Sequence, residues 1–218
     1  MFKIEKFDLL VSIYIFCICI TELMGGKTFI LPQIGSLQLN ASVAILVLPL
    51  VYTINDVITE VFGAQRARSV VRSGLLVVAA IFLCSVIFTA LPPSKRFAPT
   101  EKAYEQIFGI SARISAASLT AFALAEFLDV LVFIRLRKSM GKKALWLRNN
   151  LSNFASEFVD TAVFMFLAFY AFDKPFMNNF SFLVSLIIPY YLLKCLMSVI
   201  ETPLVYLGVN WLRNDKTN

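Results

Sequence analysis

Long apolar segments alternate with short polar connections along the whole chain. Window hydropathy places these segments at residues 7–24, 42–62, 70–91, 114–134, 151–172 and 180–207. Each is long enough for a helix to cross the hydrocarbon core of a bilayer, which takes about 20 residues. The pattern therefore predicts an all-α integral membrane protein in which a single domain, residues 1–218, contains six transmembrane helices.

Individual residues in and between these segments predict further structural features. Pro49 lies inside the second segment, where it predicts a kinked or broken helix. The connection 25–40 has glycines and Pro32 between short β-prone pieces, which suits a re-entrant hairpin, a lid or a plain connector.

Lys3 and Lys6 precede the first segment, but no small-residue cleavage site follows it. That segment is therefore predicted to be a retained helix and not a signal peptide.

The basic residues are distributed unevenly between the two sides of the predicted bundle. Thirteen of the twenty lysines and arginines fall on the side that holds both termini. Because cytoplasmic loops of membrane proteins are enriched in Lys and Arg, both termini are predicted to be cytoplasmic. This topology accounts for the net charge of +6, so the basic loop 135–148 is expected to face anionic lipid and no nucleic-acid partner is predicted.

Composition narrows the possible chemistry. Hydrophobic residues make up 59% of the chain and charged residues 16%, as expected for a polytopic membrane protein. The chain has no histidine, and its four cysteines lack metal-binding spacing. Zinc, haem and histidine acid–base catalysis are therefore excluded, no cofactor or metal is predicted, and the cysteines are interpreted as small buried apolar residues.

Acidic residues are unusually frequent inside the apolar segments. Besides Asp8 at the edge of the first segment, eight of the fourteen lie there: Glu22, Asp56, Glu60, Glu126, Asp129, Glu157, Asp160 and Glu201. A carboxylate in hydrocarbon costs about 2.5 kcal/mol or more. These side chains are therefore expected to face the bundle interior, a watery cavity, a counter-ion or a substrate. Glu22 is the exception, because its position near a helix end suits an interfacial residue.

Six of these acids form pairs spaced three or four residues apart. The pairs are Asp56 with Glu60, Glu126 with Asp129, and Glu157 with Asp160. Residues at such spacings share one face of a helix. Lys194 in the last segment is predicted to be an internal counter-ion, and acids in this setting can carry a coupling proton.

A short sequence echo links two of the pairs. Residues 125–133 (AEFLDVLVF) recur as residues 156–164 (SEFVDTAVF) in the next segment, which runs in the opposite direction. Inverted repeats that meet at a substrate site are typical of transporters. Chance convergence of two apolar helices stays open, as does a purely structural role in which the pairs cross-link helices through asparagines and Lys194.

The sequence gives little support to an enzymatic function. The Gly-x-Gly-Asp motif of intramembrane aspartyl proteases is absent, and a serine hydrolase is hard to build here without histidine or a Ser–Lys pair. A metal-dependent enzyme with hard carboxylate ligands stays conceivable.

Several motifs, in order along the chain, resemble one known family. They are 55–63 (NDVITEVFG) with Arg66 and Arg68, 127–133, 147–152 (LRNNLS), 160–164 (DTAVF), and Lys194 followed by 201–203 (ETP). Together they resemble the queuosine precursor transporters, also called the vitamin uptake transporter family.

The resemblance implies a bacterial inner-membrane importer, distantly similar in fold to the substrate-binding subunits of energy-coupling-factor transporters. The implied substrate is a 7-deazaguanine used for queuosine biosynthesis in tRNA: 7-cyano-7-deazaguanine, its aminomethyl analogue or queuine. A carboxylate can accept the ring N–H and the amino group of a guanine-like edge together. The residues predicted to bind substrate are Asn55, Asp56, Glu60, Glu126, Asp129, Asn150, Glu157, Asp160, Lys194 and Glu201.

This chain departs from the family pattern by being more acidic. The family is expected to have Gln at the position of Glu157 and often of Glu126, and Asp at that of Glu201. The extra acid would suit a more cationic substrate. Two further readings stay open: a binding subunit that needs a separate ATPase chain, since no Walker motif is present, and assembly as a homo-oligomer.

Overall fold

The computed structural model describes residues 5–213, except 34, 36–37 and 141–144. At some helical positions it describes the backbone alone: 129, 130, 133, 137, 139, 140, 145–153, 198–202 and 213. The side chains of Asp129, Asn150 and Glu201 therefore lie outside the described set. What the sequence predicts for these three stays a prediction.

Six α-helices account for most of the described chain. They are α1 (Lys6–Met24), α2 (Leu48–Phe62), α3 (Ala64–Thr89), α4 (Glu101–Met140), α5 (Leu145–Phe169) and α6 (Phe176–Arg213). Four described stretches are long and apolar enough to cross a membrane: Lys6–Met24, Ala64–Thr89, Ala98–Leu128 and Phe176–Met197. The prediction of an all-helical, multi-pass membrane protein is thus confirmed, while the count of six spans stays a prediction.

The second helix is shorter than its predicted segment. Its 15 residues rise only about 22 Å at roughly 1.5 Å per residue, less than the ~30 Å hydrocarbon core. The preceding residues form a strand and a short 3₁₀ helix, Val43–Leu46. Pro49 lies in the first turn of α2. Of the two predicted alternatives, the broken helix is confirmed, because the segment is interrupted directly before Pro49. The kink is wrong, because proline at a helix start costs no hydrogen bond and favours initiation.

Neighbouring helices pack into one bundle. α1 lies against α2, α3 and α4, while α4 contacts α3 and α5, and α6 contacts α2 and α5. One apolar cluster joins α1, α2 and α3 around Tyr14, Ile58 and Val70. A second joins α5 and α6 around Met165 and Leu186. Large apolar side chains remain exposed on the outside, as lipid contact requires.

The first and last helices meet at one end of the bundle. The Lys6 ammonium group donates a hydrogen bond to the Trp211 carbonyl oxygen at 2.7 Å and lies 5.1 Å from the Trp211 ring centre. We call this the terminal end. Both ends of the described chain therefore lie on the same side, as an even number of antiparallel helices requires. Whether that side is cytoplasmic stays a prediction.

A small β-hairpin lies at the opposite end, which we call the hairpin end. Strands β1 (Thr28–Ile30) and β2 (Asn40–Ser42) pair antiparallel within the connection 25–40. The Tyr190 hydroxyl of α6 donates to the Ser42 carbonyl oxygen at 3.2 Å, and the Asn40 amide donates to Ser185 Oγ at 2.9 Å. The connection thus contains a β-hairpin that is attached to α6, while its predicted role as a re-entrant segment, a lid or a connector stays a prediction.

Candidate functional site

A cavity of about 410 Å³ lies between α2, α4, α5 and α6. We call it the carboxylate cavity. Its lining residues are Tyr52, Phe122, Ala125, Glu126, Ser156, Glu157, Asp160 and Lys194. The volume lies within the roughly 300–1,000 Å³ that small-molecule sites occupy. Three acids and one lysine in this lining give a formal charge of −2, so the cavity favours a cationic or donor-rich ligand.

Lys194 forms ion pairs with two carboxylates of α5. Its ammonium nitrogen lies 2.7 Å from Asp160 Oδ2 and 3.0 Å from Glu157 Oε2. The lysine side chain is 11% exposed, whereas Asp160 and Glu157 keep 31% and 45% of their surface. The lysine is therefore enclosed, while both carboxylates keep accessible surface that a ligand can reach.

Helical spacing brings these groups together. Glu157 and Asp160 are three residues apart and share a face of α5, which turns towards Lys194 on α6. An edge-to-face contact between Phe158 and Tyr191, with ring centres 5.6 Å apart, joins the same two helices. This apolar contact fixes the spacing across which the ion pairs form.

The sequence echo lies on both walls of the carboxylate cavity. Ala125 and Glu126 of α4 line it, and so do their counterparts in the repeat, Ser156 and Glu157 of α5. The two helices pack against each other. The repeated sequence therefore supplies one carboxylate from each of two adjacent helices to a single space.

A second cavity, of about 240 Å³, adjoins the first on its hairpin side. We call it the hairpin-side cavity. It shares four lining residues with the carboxylate cavity: Tyr52, Phe122, Asp160 and Lys194. It extends to Glu22 and Ser118 and to the base of the hairpin at Gly25 and Ser42. The two cavities together follow the bundle interior from the acidic cluster to the hairpin.

Glu22 is enclosed to a degree that the sequence did not suggest. Its side chain is 6% exposed, and its Oε1 accepts a hydrogen bond from Ser118 Oγ at 2.9 Å. The prediction that Glu22 is an interfacial residue is wrong. Although it lies in the last turn of α1, helix α4 extends past that end and covers the carboxyl group.

The predicted acids of α2 lie outside both cavities. Asp56 and Glu60 are exposed and Asn55 is half-buried, and none of the three lines either cavity. Asp56 and Glu60 are four and eight residues beyond Tyr52, which does line both. They therefore continue the same helix face towards the terminal end.

The sequence did not single out Tyr52, Phe122 and Ser156 as site residues. A signal for the first two was present, since each precedes a predicted acid by four residues: Tyr52 before Asp56, and Phe122 before Glu126. Residues four apart lie one turn apart on the same face. Extending each acidic face by one turn towards the N-terminus of its helix would have included both aromatic rings.

A multi-pass helical membrane protein with a charged and aromatic internal cavity has the construction of a solute transporter. Residues 42–208 match the model of a family described as "Putative vitamin uptake transporter". Because the match covers well over half of the 218 residues, the chain belongs to the vitamin uptake transporter family. It is a transporter and not an enzyme, and the resemblance drawn from the sequence motifs is confirmed.

Curated relatives carry a more specific description. A "Probable queuosine precursor transporter" of Bacillus subtilis is 29% identical over 168 residues, 76% of this chain and 70% of that protein. A "Queuosine precursor transporter" of Escherichia coli is 30% identical over 70% of this chain and 65% of its own length. A Haemophilus influenzae relative with the same description as the Bacillus protein is 30% identical over 61% of this chain and 53% of its own. No solved structure matches the chain.

Proposed function

We propose that this chain imports a queuosine precursor across the bacterial inner membrane through six spans, with both termini in the cytoplasm. The substrate is a 7-deazaguanine: 7-cyano-7-deazaguanine, its aminomethyl analogue or queuine. Membership of the vitamin uptake transporter family and the descriptions of three relatives support this proposal. The even number of helices and the Lys6–Trp211 contact agree with the topology.

The observation that carries the substrate class is the pairing of acids and aromatic rings in one cavity. Glu126, Glu157 and Asp160 line the carboxylate cavity together with Tyr52 and Phe122. A carboxylate accepts two adjacent N–H groups of a guanine-like edge, while an aromatic ring packs against the flat face of the heterocycle. An anionic substrate would be repelled by the formal charge of the same lining.

Within this proposal, the predicted site residues have different roles according to their positions. Lys194 orients Glu157 and Asp160, and each keeps accessible surface for the ligand. Glu126 faces them from α4 and is suited to an added cationic group such as an aminomethyl substituent. Asn55, Asp56 and Glu60 continue towards the terminal end, where we place ligand exit or proton transfer. Asp129, Asn150 and Glu201 are proposed to complete the binding site.

The test is restoration of queuosine in a bacterium that lacks both precursor synthesis and its own carrier. Each of the three deazaguanines is supplied to cells that express this chain, and queuosine in tRNA is measured. Expression should restore queuosine with at least one of them. The Asp160→Asn variant should lose most of the uptake, and Asp173→Asn, an exposed loop residue, is the matched control. The absence of any queuosine at normal membrane levels of the protein would refute the substrate assignment.

A second experiment separates a solitary carrier from a binding subunit that depends on an ATPase chain. The purified protein is reconstituted in liposomes, and labelled substrate uptake is measured with and without an inward proton gradient. Uptake that responds to the gradient supports proton coupling. Binding without uptake, restored only by an added ATPase module, would establish the dependent subunit instead.

A further inference from the structure

Two serine hydroxyls of α4 enclose the carboxyl group of Glu22. Ser118 Oγ donates to Oε1 at 2.9 Å, and the Ser115 hydroxyl is a second hydrogen-bond partner of the same group. Glu22 is 6% exposed, and Ser115 is fully buried. The two serines are three residues apart on one face of α4, so both reach the end of a single side chain on α1. The carboxyl group therefore has hydroxyl partners and leaves no room for a larger ligand.

The hydroxyl pair can accommodate both protonation states of Glu22. A serine hydroxyl both donates and accepts hydrogen bonds, whereas lysine and arginine only donate them. Within the described part of the chain, neither Glu22 Oε2 nor Ser115 Oγ is bonded to any further group. By rotating its O–H bond, Ser115 can donate to an ionised carboxylate or accept from a protonated carboxyl group. Glu22 can thus gain or lose a proton while α1 and α4 keep their positions.

Glu22 has no ion-pair partner among the described residues. The titratable or charged groups that face the same cavity from other helices are Tyr52 of α2, Asp160 of α5, and Tyr190 and Lys194 of α6. Lys194 is already paired with two carboxylates. The described lining residues from α3, α4 and the hairpin have no ionisable side chain. A buried carboxylate without a cation is costly, and binding a proton removes that cost.

The hairpin-side cavity connects Glu22 with the proposed substrate path. Glu22 lines this cavity near the hairpin, while Asp160 and Lys194 line both this cavity and the carboxylate cavity. A proton on Glu22 and a substrate at the acidic cluster would therefore occupy adjoining spaces, where binding of one can change the affinity for the other. Acids inside a membrane protein commonly form the proton relays of transporters.

We propose that Glu22 carries the proton whose inward movement drives import. Its carboxylate takes up a proton from water on the hairpin side, and it releases that proton to water on the terminal side when the cavity opens in that direction. Substrate and proton then bind at different residues, the substrate at the acids near Lys194 and the proton at Glu22. The inference rests on the proposed function and adds to it a coupling residue on α1, outside the acidic pairs.

The test uses the purified protein in liposomes, with labelled 7-cyano-7-deazaguanine, its aminomethyl analogue and queuine in turn. One assay measures accumulation driven by an inward proton gradient. The other measures exchange of external labelled for internal unlabelled substrate at equal pH on both sides. Glu22→Gln resembles the protonated acid, because its amide can accept from one serine and donate to the other. It should lose accumulation by up to about tenfold per pH unit of gradient. Exchange, which needs no net proton movement, should be kept.

Two further variants complete the test. Glu105→Gln, an exposed residue of α4, is the matched control and should leave both assays unchanged. Ser115→Ala removes one hydroxyl and keeps the carboxyl group. The ionised form then loses the stronger hydrogen bond, so the external pH at which uptake is half-maximal should rise by about 0.5–1 unit. An unchanged midpoint would contradict the role of the hydroxyl pair.

The outcomes separate this inference from the proposed function. Accumulation that is retained by Glu22→Gln would overturn the inference, and so would a parallel loss of accumulation and exchange, which indicates a role limited to folding. Exchange by the unmodified protein without any response to a proton gradient would also overturn it, while the proposed substrate class would stand. If the unmodified protein exchanges none of the three deazaguanines, the proposed function fails, and this inference fails with it.

Discussion

At the scale of single residues, Lys194 organises the cavity by contacting two carboxylates at once. It lies 2.7 Å from Asp160 and 3.0 Å from Glu157, and it is the most enclosed of the three side chains. Removing one partner of a buried ion pair costs roughly 3–5 kcal/mol, because the remaining charge loses its compensation. The carboxylates here are partly exposed, so the cost should be smaller.

We therefore expect Lys194→Met to lower the free energy of unfolding of the purified protein by about 1–2 kcal/mol. This is less than the cost for a fully buried ion pair, because solvent screens the partly exposed carboxylates. The measurement is thermal unfolding in detergent. Neutralising the carboxylates as well, in Lys194→Met with Glu157→Gln and Asp160→Asn, should recover most of the loss. Lys174→Met at an exposed loop position is the control. Equal melting temperatures for the single and triple variants would contradict the ion-pair account.

At the scale of elements, close helix contacts fix where the cavity-forming faces point. Gly208 of α6 lies against Val57 of α2, and a Cβ atom added at Gly208 would lie 2.6 Å from Val57 Cγ2. Val57 is 2% exposed and β-branched, so its side chain cannot rotate away. The glycine thus allows α2 and α6 to approach, and these helices carry Tyr52 and Lys194.

Gly208→Ala is expected to destabilise the protein by about 1–3 kcal/mol through overpacking. Gly109→Ala in α4 is the matched control, since nothing lies within 4 Å of a Cβ added there. It should be neutral or stabilising by up to ~1 kcal/mol, because alanine favours helix more than glycine does. Both are measured by thermal unfolding. A neutral Gly208→Ala would show that α2 and α6 separate easily.

The hairpin is a second element, which apolar packing and two side-chain hydrogen bonds attach to α6. The Tyr190 hydroxyl donates to the Ser42 carbonyl oxygen in a buried setting. Tyr190→Phe should cost about 1 kcal/mol and speed amide hydrogen exchange in residues 27–43. Tyr206→Phe, whose ring is 67% exposed, is the control. Unchanged exchange in the hairpin would show that the apolar packing and the Asn40–Ser185 hydrogen bond suffice to hold it.

At the scale of the whole molecule, the two ends of the bundle carry different parts of the chain. The terminal end carries both ends of the described chain, and the hairpin end closes over the side of the cavity near Glu22. The proposed orientation rests on the distribution of basic residues, and it can be tested by cysteine labelling in a variant without its four native cysteines.

Asn178→Cys should react with a membrane-impermeant maleimide in intact cells, because it lies in the first turn of α6 at the hairpin end. Gln65→Cys lies in the first turn of α3 at the terminal end and should react only after permeabilisation. Both positions are exposed. The reversed pattern would place the termini outside, contrary to the proposed topology, and would leave the geometry of the cavities unchanged.

The sequence by itself determined the class of molecule and much of its chemistry. Hydropathy located all six helices, because each contains a long run of apolar residues between polar connections. The three- and four-residue spacing of acids predicted shared faces, and Lys194 was identified as a counter-ion before its partners were known. Local periodicity is sufficient for such inferences, since a helix face depends only on positions along one segment.

Tertiary structure alone decided which acids share a space. Asp56 and Glu60 form a pair of acids on one helix face, as Glu157 and Asp160 do. Of these two pairs, only Glu157 and Asp160 line the cavities. Glu22, at a helix end, is enclosed because α4 extends beyond the predicted span and covers it with Ser118. Burial of a side chain depends on what a neighbouring helix places over it, and no pattern within one segment contains that information.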